Sequence, residues 1–101
     1  MIDGPLAALR QRVEMALSDQ EFESAQAMVD NTLHDMAFVI EGAPAQYHER
    51  AEALLEQLRN AYGALIQGED RADDLDVLAN ALQNQGIEGL RGWGPVPGRV
   101  M

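Results

Sequence analysis

Two histidines carry the side chains best suited to acid–base or metal chemistry near neutral pH, and each has a carboxylate one helical turn away. Asp30 precedes His34 by four residues, and Glu52 follows His48 by four. Imidazole and carboxylate at i,i+4 share a helix face, and two such pairs can hold Zn²⁺ or a similar ion. Folding the chain back on itself near residue 43 would bring both pairs onto facing flank rows of two antiparallel helices. The two histidines then differ in level by roughly 6 Å at helical rise, which strains a single site. A solvated polar row is the simpler expectation. The Glu-x-x-His of carboxylate-bridged di-iron bundles is absent, because Asn31 and Ala45 stand where the glutamates would be. The run His48-Glu49-Arg50-Ala51-Glu52 is likewise no His-Glu-x-x-His. No metal and no cofactor are expected.

Other catalytic patterns are missing as well. There is no cysteine, hence no thiolate ligand, nucleophile or disulfide. Neither a phosphate-binding Gly-x-x-x-x-Gly-Lys loop nor a Gly-x-Ser-x-Gly elbow occurs, and the only serines are Ser18 and Ser24. The adjacent carboxylates Asp73 and Asp74 sit at an expected helix start, where solvated charge is the normal state. The expectation is a protein that is not an enzyme.

The elements that would position these residues are helices. Asp3-Gly4-Pro5 opens a first helix with Leu6, Leu9, Val13 and Leu17 on one face. Ser18-Asp19-Gln20-Glu21 reads as a capping box, with Leu17 and Phe22 as a hydrophobic staple. The second helix is then expected from about Asp19 to Glu41, with Phe22, Ala25, Val29, Leu33, Met36 and Ile40 inward. One continuous helix from Leu6 to Glu41 is the rival reading. Gly42-Ala43-Pro44 ends it. A third helix is expected over 45–67, its main stripe Tyr47, Ala51, Leu54, Leu58, Ala61 and Leu65, widened by Leu55, Tyr62 and Ile66. The fourth opens among Glu69, Asp70, Asp73 and Asp74, carries Leu75, Leu78 and Leu82, and stops at a Schellman turn on Gly86 with Ile87. Four glycines and two prolines from Gly89 to Gly98 predict irregular chain over 87–101.

These elements predict an all-α fold. It is a three- or four-helix bundle built on a long antiparallel helical hairpin of the second and third helices, with an irregular Gly/Pro-rich C-terminal tail. The bundle domain spans 1–86, and the tail, 87–101, docks on it. At 101 residues there is room for one core. No run approaches the ~18 apolar residues of a membrane span; together with Asp3, Gly4 and Pro5 in place of a basic leader region, this points to a cytoplasmic protein.

Charge narrows the partners. Seventeen acids oppose seven bases, giving a net charge of −10, so direct binding to a phosphate backbone or an anionic membrane is disfavoured. All seven bases are arginine, a bias expected of GC-rich coding in bacteria or phage. Acids concentrate in 19–41, which holds six and no base, and in 69–86, which holds five and only Arg71. The expected partner is another protein, and a symmetric homodimer is compatible. Two kinds of surface are candidates for meeting it. Acidic faces carrying Asp30, Asp35, Asp73 and Asp74 would dock on a basic protein surface. Met28, Phe38 and Val39, like Met15, fall off the inward stripe and give a second apolar patch suited to a partner groove. Trp93, in Arg91-Gly92-Trp93-Gly94-Pro95, is a further anchor, accompanied by Val96, Val100 and Met101.

The small secreted helical dimers with a Trp-x-Gly turn share this length and helical class, but here the turn reads Glu41-Gly42-Ala43-Pro44 and the single Trp-x-Pro lies in the tail. In size, acidity and helical class the chain resembles small export chaperones of flagellar and type III secretion systems; no specific motif carries the resemblance. Two functions are expected from these features. The first is a non-catalytic acidic helical protein-binding module, a small chaperone or adaptor that binds its partner through an apolar helical face. The alternative is an acidic inhibitor, nucleic-acid-mimicking and phage-derived, that blocks a basic nucleic-acid-binding surface of an enzyme.

Overall fold

Leucine and alanine recurring every three or four residues dictate helices, and a computed structural model, which describes residues 5–93 and the side chains of 5–90, contains four. They are α1 (Pro5–Ser18), α2 (Phe22–Glu41), α3 (His48–Ile66) and α4 (Ala72–Gln83). A 3₁₀ turn, Ala45–Tyr47, leads into α3, and a second 3₁₀ segment, Glu88–Trp93, follows α4. No strand occurs among the described residues. Consecutive helices pack against each other, and the 88–93 segment rests on α1, α2 and α4. No described helix is long and apolar enough to cross a membrane.

One core runs through all four helices. Leu6, Leu9 and Val13 of α1 meet Val29, Leu33, Met36 and Ile40 of α2, Leu55, Leu58 and Tyr62 of α3, and Leu75 and Leu82 of α4 in a single buried cluster. Ile87 and Leu90 complete it. Burying a side chain of this size contributes about 1.5–3 kcal/mol, so Ile87 and Leu90 pin the segment after α4 to the bundle. The irregular chain expected from 87 onward is therefore corrected over 88–93. Glycine-rich sequence disfavours an α-helix there, yet two apolar residues three apart suffice to anchor one 3₁₀ run. The remaining tail, with Val96, Val100 and Met101, lies outside the described residues.

The break between the first two helices is real, which removes the continuous-helix reading, but its chemistry differs from the expected capping box. Ser18 is the last residue of α1, and no side chain caps α2. Instead α1 closes in a Schellman motif: the Gln20 amide donates to the Leu17 carbonyl at 3.1 Å and the Glu21 amide to Ala16 at 2.8 Å. This places Gln20 at φ 60, in the left-handed region. The same pattern ends α3, where the Gly68 amide donates to Leu65 and the Glu69 amide to Ala64, both at 3.0 Å. At the end of α4 the expected order does not hold. Gly86 has φ 87, but the helix stops at Gln83, and the Asn84 amide donates back to Asn80 and Ala81.

The inward face of α2 departs from expectation only at its first residue, whereas that of α3 is rotated. Phe22 is half exposed, because it opens α2 beyond the first buried residue, Ala25. In α3 the buried residues are Ala51, Leu55, Leu58, Ala61 and Tyr62, whereas Tyr47, Leu54 and Leu65 are only partly covered. The face turns because Tyr62 reaches the centre of the bundle.

Candidate functional site

Phe38, Val39 and Ile40 are consecutive in α2 and must point in three directions. Met36 and Ile40 take the core positions, which leaves Val39 on the flank and Phe38 outward at 74% exposure. Immediately afterwards the chain turns. Pro44, at φ −56 and ψ 145, is extended and cannot continue the helix. His48 closes this turn: its Nε2 lies 2.7 Å from the Ala43 carbonyl. A carbonyl only accepts, so Nε2 carries the proton and donates.

Against this turn lies the segment after α4. Gly86 sits beside the Tyr47 ring, and Gly89 comes so close to Val39 that a Cβ built on it would stand 2.5 Å from Val39 Cγ1. Only a glycine lets the backbone approach α2 this closely. Together the end of α2, the 42–44 turn, Tyr47 and residues 86–89 enclose a groove of about 590 Å³. Its walls are the side chains of Phe38, Val39, Ala43, Pro44, Tyr47 and Ile87 with glycine backbone, and Glu88 is its charged member. Such a surface can take up an apolar side chain from outside.

Of the residues marked from sequence as partner-binding, the fold brings only Phe38 and Val39 together here. Met28, ten residues earlier and so about 15 Å along α2, lines a separate cavity of about 350 Å³ between α1 and α2 with Leu9, Arg12 and Thr32. Asp30 is exposed and accepts from Gln26 Nε2 at 3.0 Å. Asp35 is exposed one turn before Phe38. Asp73 and Asp74 are exposed at the start of α4, where Arg71 Nη1 donates to Asp74 at 2.6 Å. Trp93 ends the 88–93 segment, and its side chain lies outside the described residues.

The acidic face expected on α4 is smaller than its count. Asp76 is buried, with Arg10 Nη1 donating to its Oδ1 at 2.7 Å. The facing rows of histidine and carboxylate do not form a metal centre: His34 is exposed and His48 is occupied with the turn. Among the described residues no three His, Cys, Asp or Glu side chains come together to hold an ion.

No protein-family model, curated protein or solved structure matches the chain. The site therefore stands on its own geometry. The groove residues missed in the sequence are Ala43, Pro44, Tyr47 and 86–89. Three apolar residues in a row at the end of α2 were the available signal for one wall, and the Gly86, Gly89 spacing around Ile87 was the signal for the other.

Proposed function

We propose that this protein is a non-catalytic acidic protein-binding module, a small chaperone or adaptor that takes up an apolar segment of a partner protein. In this reading α2 and α3 act as a long antiparallel hairpin, and the groove at their turn is the receptor. The observation that carries it is Phe38, 74% exposed at the rim of an apolar groove of about 590 Å³. An aromatic side chain left in water on an ordered helix gains about 1.5–3 kcal/mol when a partner covers it.

The acidic-decoy reading draws support from α2, where Glu23, Asp30, Asp35 and Glu41 are exposed and no base occurs. It draws less from α4, because Asp76 is buried against Arg10 and Asp74 is paired with Arg71. The two readings respond differently to substitution. Partner capture by the full chain should be lost with Phe38→Asp and kept when Asp30, Asp35, Asp73 and Asp74 are all replaced by Asn. The reverse pattern overturns the apolar-groove reading in favour of the decoy. Raising salt should leave the complex largely intact in the first case and weaken it steeply in the second.

A further inference from the structure

Phe38 does not stand alone on its face of α2. Asp35 lies three residues before it and Glu41 three residues after, so a carboxylate sits one turn to either side. Glu88 reaches the same groove from the opposite wall. All three are exposed, and no described side chain forms an ion pair with any of them. The nearest bases in sequence are few. None occurs between Arg12 and Arg50, and Arg50, three residues past Tyr47, is exposed next to Glu49. Arg91, three residues after Glu88, has its side chain outside the described residues, so the negative rim rests on Asp35 and Glu41.

We infer that the groove selects a partner segment in which an apolar anchor is flanked by lysine or arginine. This rests on the apolar-groove reading and adds the partner's chemistry to it. A neutral apolar segment laid over Phe38 would strip water from the Asp35 and Glu41 carboxylates without replacing it, and that cost opposes the gain from burying the ring. A segment with cations beside its anchor supplies the missing partners and is drawn in by the field of a chain carrying −10 charge. A second copy of this chain is a poor occupant, since it would bring a like-charged rim to the contact. The spacing is also set. Asp35 and Glu41 are six residues apart, about 9 Å along α2. Cations about six residues apart on a helical segment, or about three apart on an extended one, reach both.

The test is fluorescence anisotropy with the full chain and three labelled synthetic peptides. Their leucines are identical, and the flanking positions are Lys, Gln or Glu. The Lys peptide should bind at least about tenfold more tightly than the Gln peptide at low salt, and the Glu peptide most weakly. In the Asp35→Asn, Glu41→Gln variant the Lys advantage should collapse, and Phe38→Ala should weaken every peptide while circular dichroism stays helical. Equal binding of the Lys and Gln peptides overturns the charge selection and leaves the apolar groove standing. Lys-peptide binding that is unchanged by Phe38→Ala overturns both, because the contact would then be charge alone. Binding of none of the three overturns both as well.

Discussion

Arg10 and Asp76 are 66 residues apart in the chain and joined in space, with Nη1 donating to Oδ1 at 2.7 Å between α1 and α4. The Asp76 side chain is 2% exposed and that of Arg10 11%, and Arg10 Nε also donates to Glu14 at 2.8 Å. Burial pushes the guanidinium pKa down, but the hydrogen bonds to Glu14 and Asp76 and the charges behind them outweigh it, so the value ends above the ordinary arginine one. A buried pair gains little over a well-packed apolar pair, whereas removing one member strands the other. Asp76→Ala should therefore cost about 3 kcal/mol, and Arg10→Met with Asp76→Leu should recover most of that loss. Urea denaturation followed by circular dichroism measures both; equal losses in the single and double variants would contradict it.

Tyr62 lies in the same neighbourhood, fully buried, and among the described residues its hydroxyl has no hydrogen-bond partner. Burial raises its pKa well above the ordinary 10.0; Arg10 opposes this, and Glu14 and Asp76 add to it. The sign follows from linkage. The folded state holds the phenolic proton more tightly than the unfolded chain, so this contribution is complete below pH 10 and falls away as the pH rises beyond it. Tyr62→Phe should remove that alkaline loss. At pH 7 it should be neutral or stabilising by up to about 1 kcal/mol, since an unmatched hydroxyl leaves the core. Denaturation curves at pH 7 and at pH values above 10 check both statements.

The Arg10–Asp76 pair marks where the sequence stopped being readable. The stripes Leu6, Leu9, Val13, Leu17 and Phe22, Ala25, Val29, Leu33, Met36, Ile40 have helical spacing, and the structure buries them except at one end of each, where Leu17 is partly covered and Phe22 is exposed. Arg10 and Asp76 sit one residue past such positions and carry charge, so local pattern assigns them to solvent; only the tertiary meeting of α1 and α4 takes them inside. Leu55 and Tyr62 were legible as the edge of the α3 face; the structure makes that edge the buried centre and leaves Leu54 and Leu65 partly covered. For the groove, Phe38 and Val39 were legible as surplus apolar residues. Their opposite wall depends on a backbone approach at Gly89 from 50 residues away, which spacing within one segment does not encode.

Gln20 occupies the left-handed position of the Schellman motif that closes α1. A residue with a Cβ pays steric strain there, of order 1 kcal/mol, that glycine avoids. Gln20→Gly should stabilise the protein by about 0.5–1 kcal/mol despite the greater freedom it gives the unfolded chain. A lower thermal midpoint would show that the Gln20 side chain holds the turn by other means.

Gly63 and Gly89 offer a matched pair of substitutions with opposite outcomes. Gly63 lies inside α3, and a Cβ added there meets nothing within 4 Å. Gly63→Ala removes the entropy cost of a helical glycine and should raise stability by about 0.5–1 kcal/mol without touching the groove. At Gly89 the added Cβ would stand 2.5 Å from Val39 Cγ1, closer than two carbons can rest, and Val39 is held between its helix and the core. The strain is relieved by turning the β-branched Val39, which its packing resists, or by moving the 88–93 segment away from α2, which pulls on Leu90 and Ile87. Gly89→Ala should cost about 1–3 kcal/mol, the range of an overpacked core. The same displacement moves Glu88 and the far wall away from Phe38, so peptide binding in the groove should weaken in Gly89→Ala and stay unchanged in Gly63→Ala. Measuring stability and peptide anisotropy on both variants separates the two effects. Undiminished stability and binding in Gly89→Ala would mean that the segment does not press on α2 in solution.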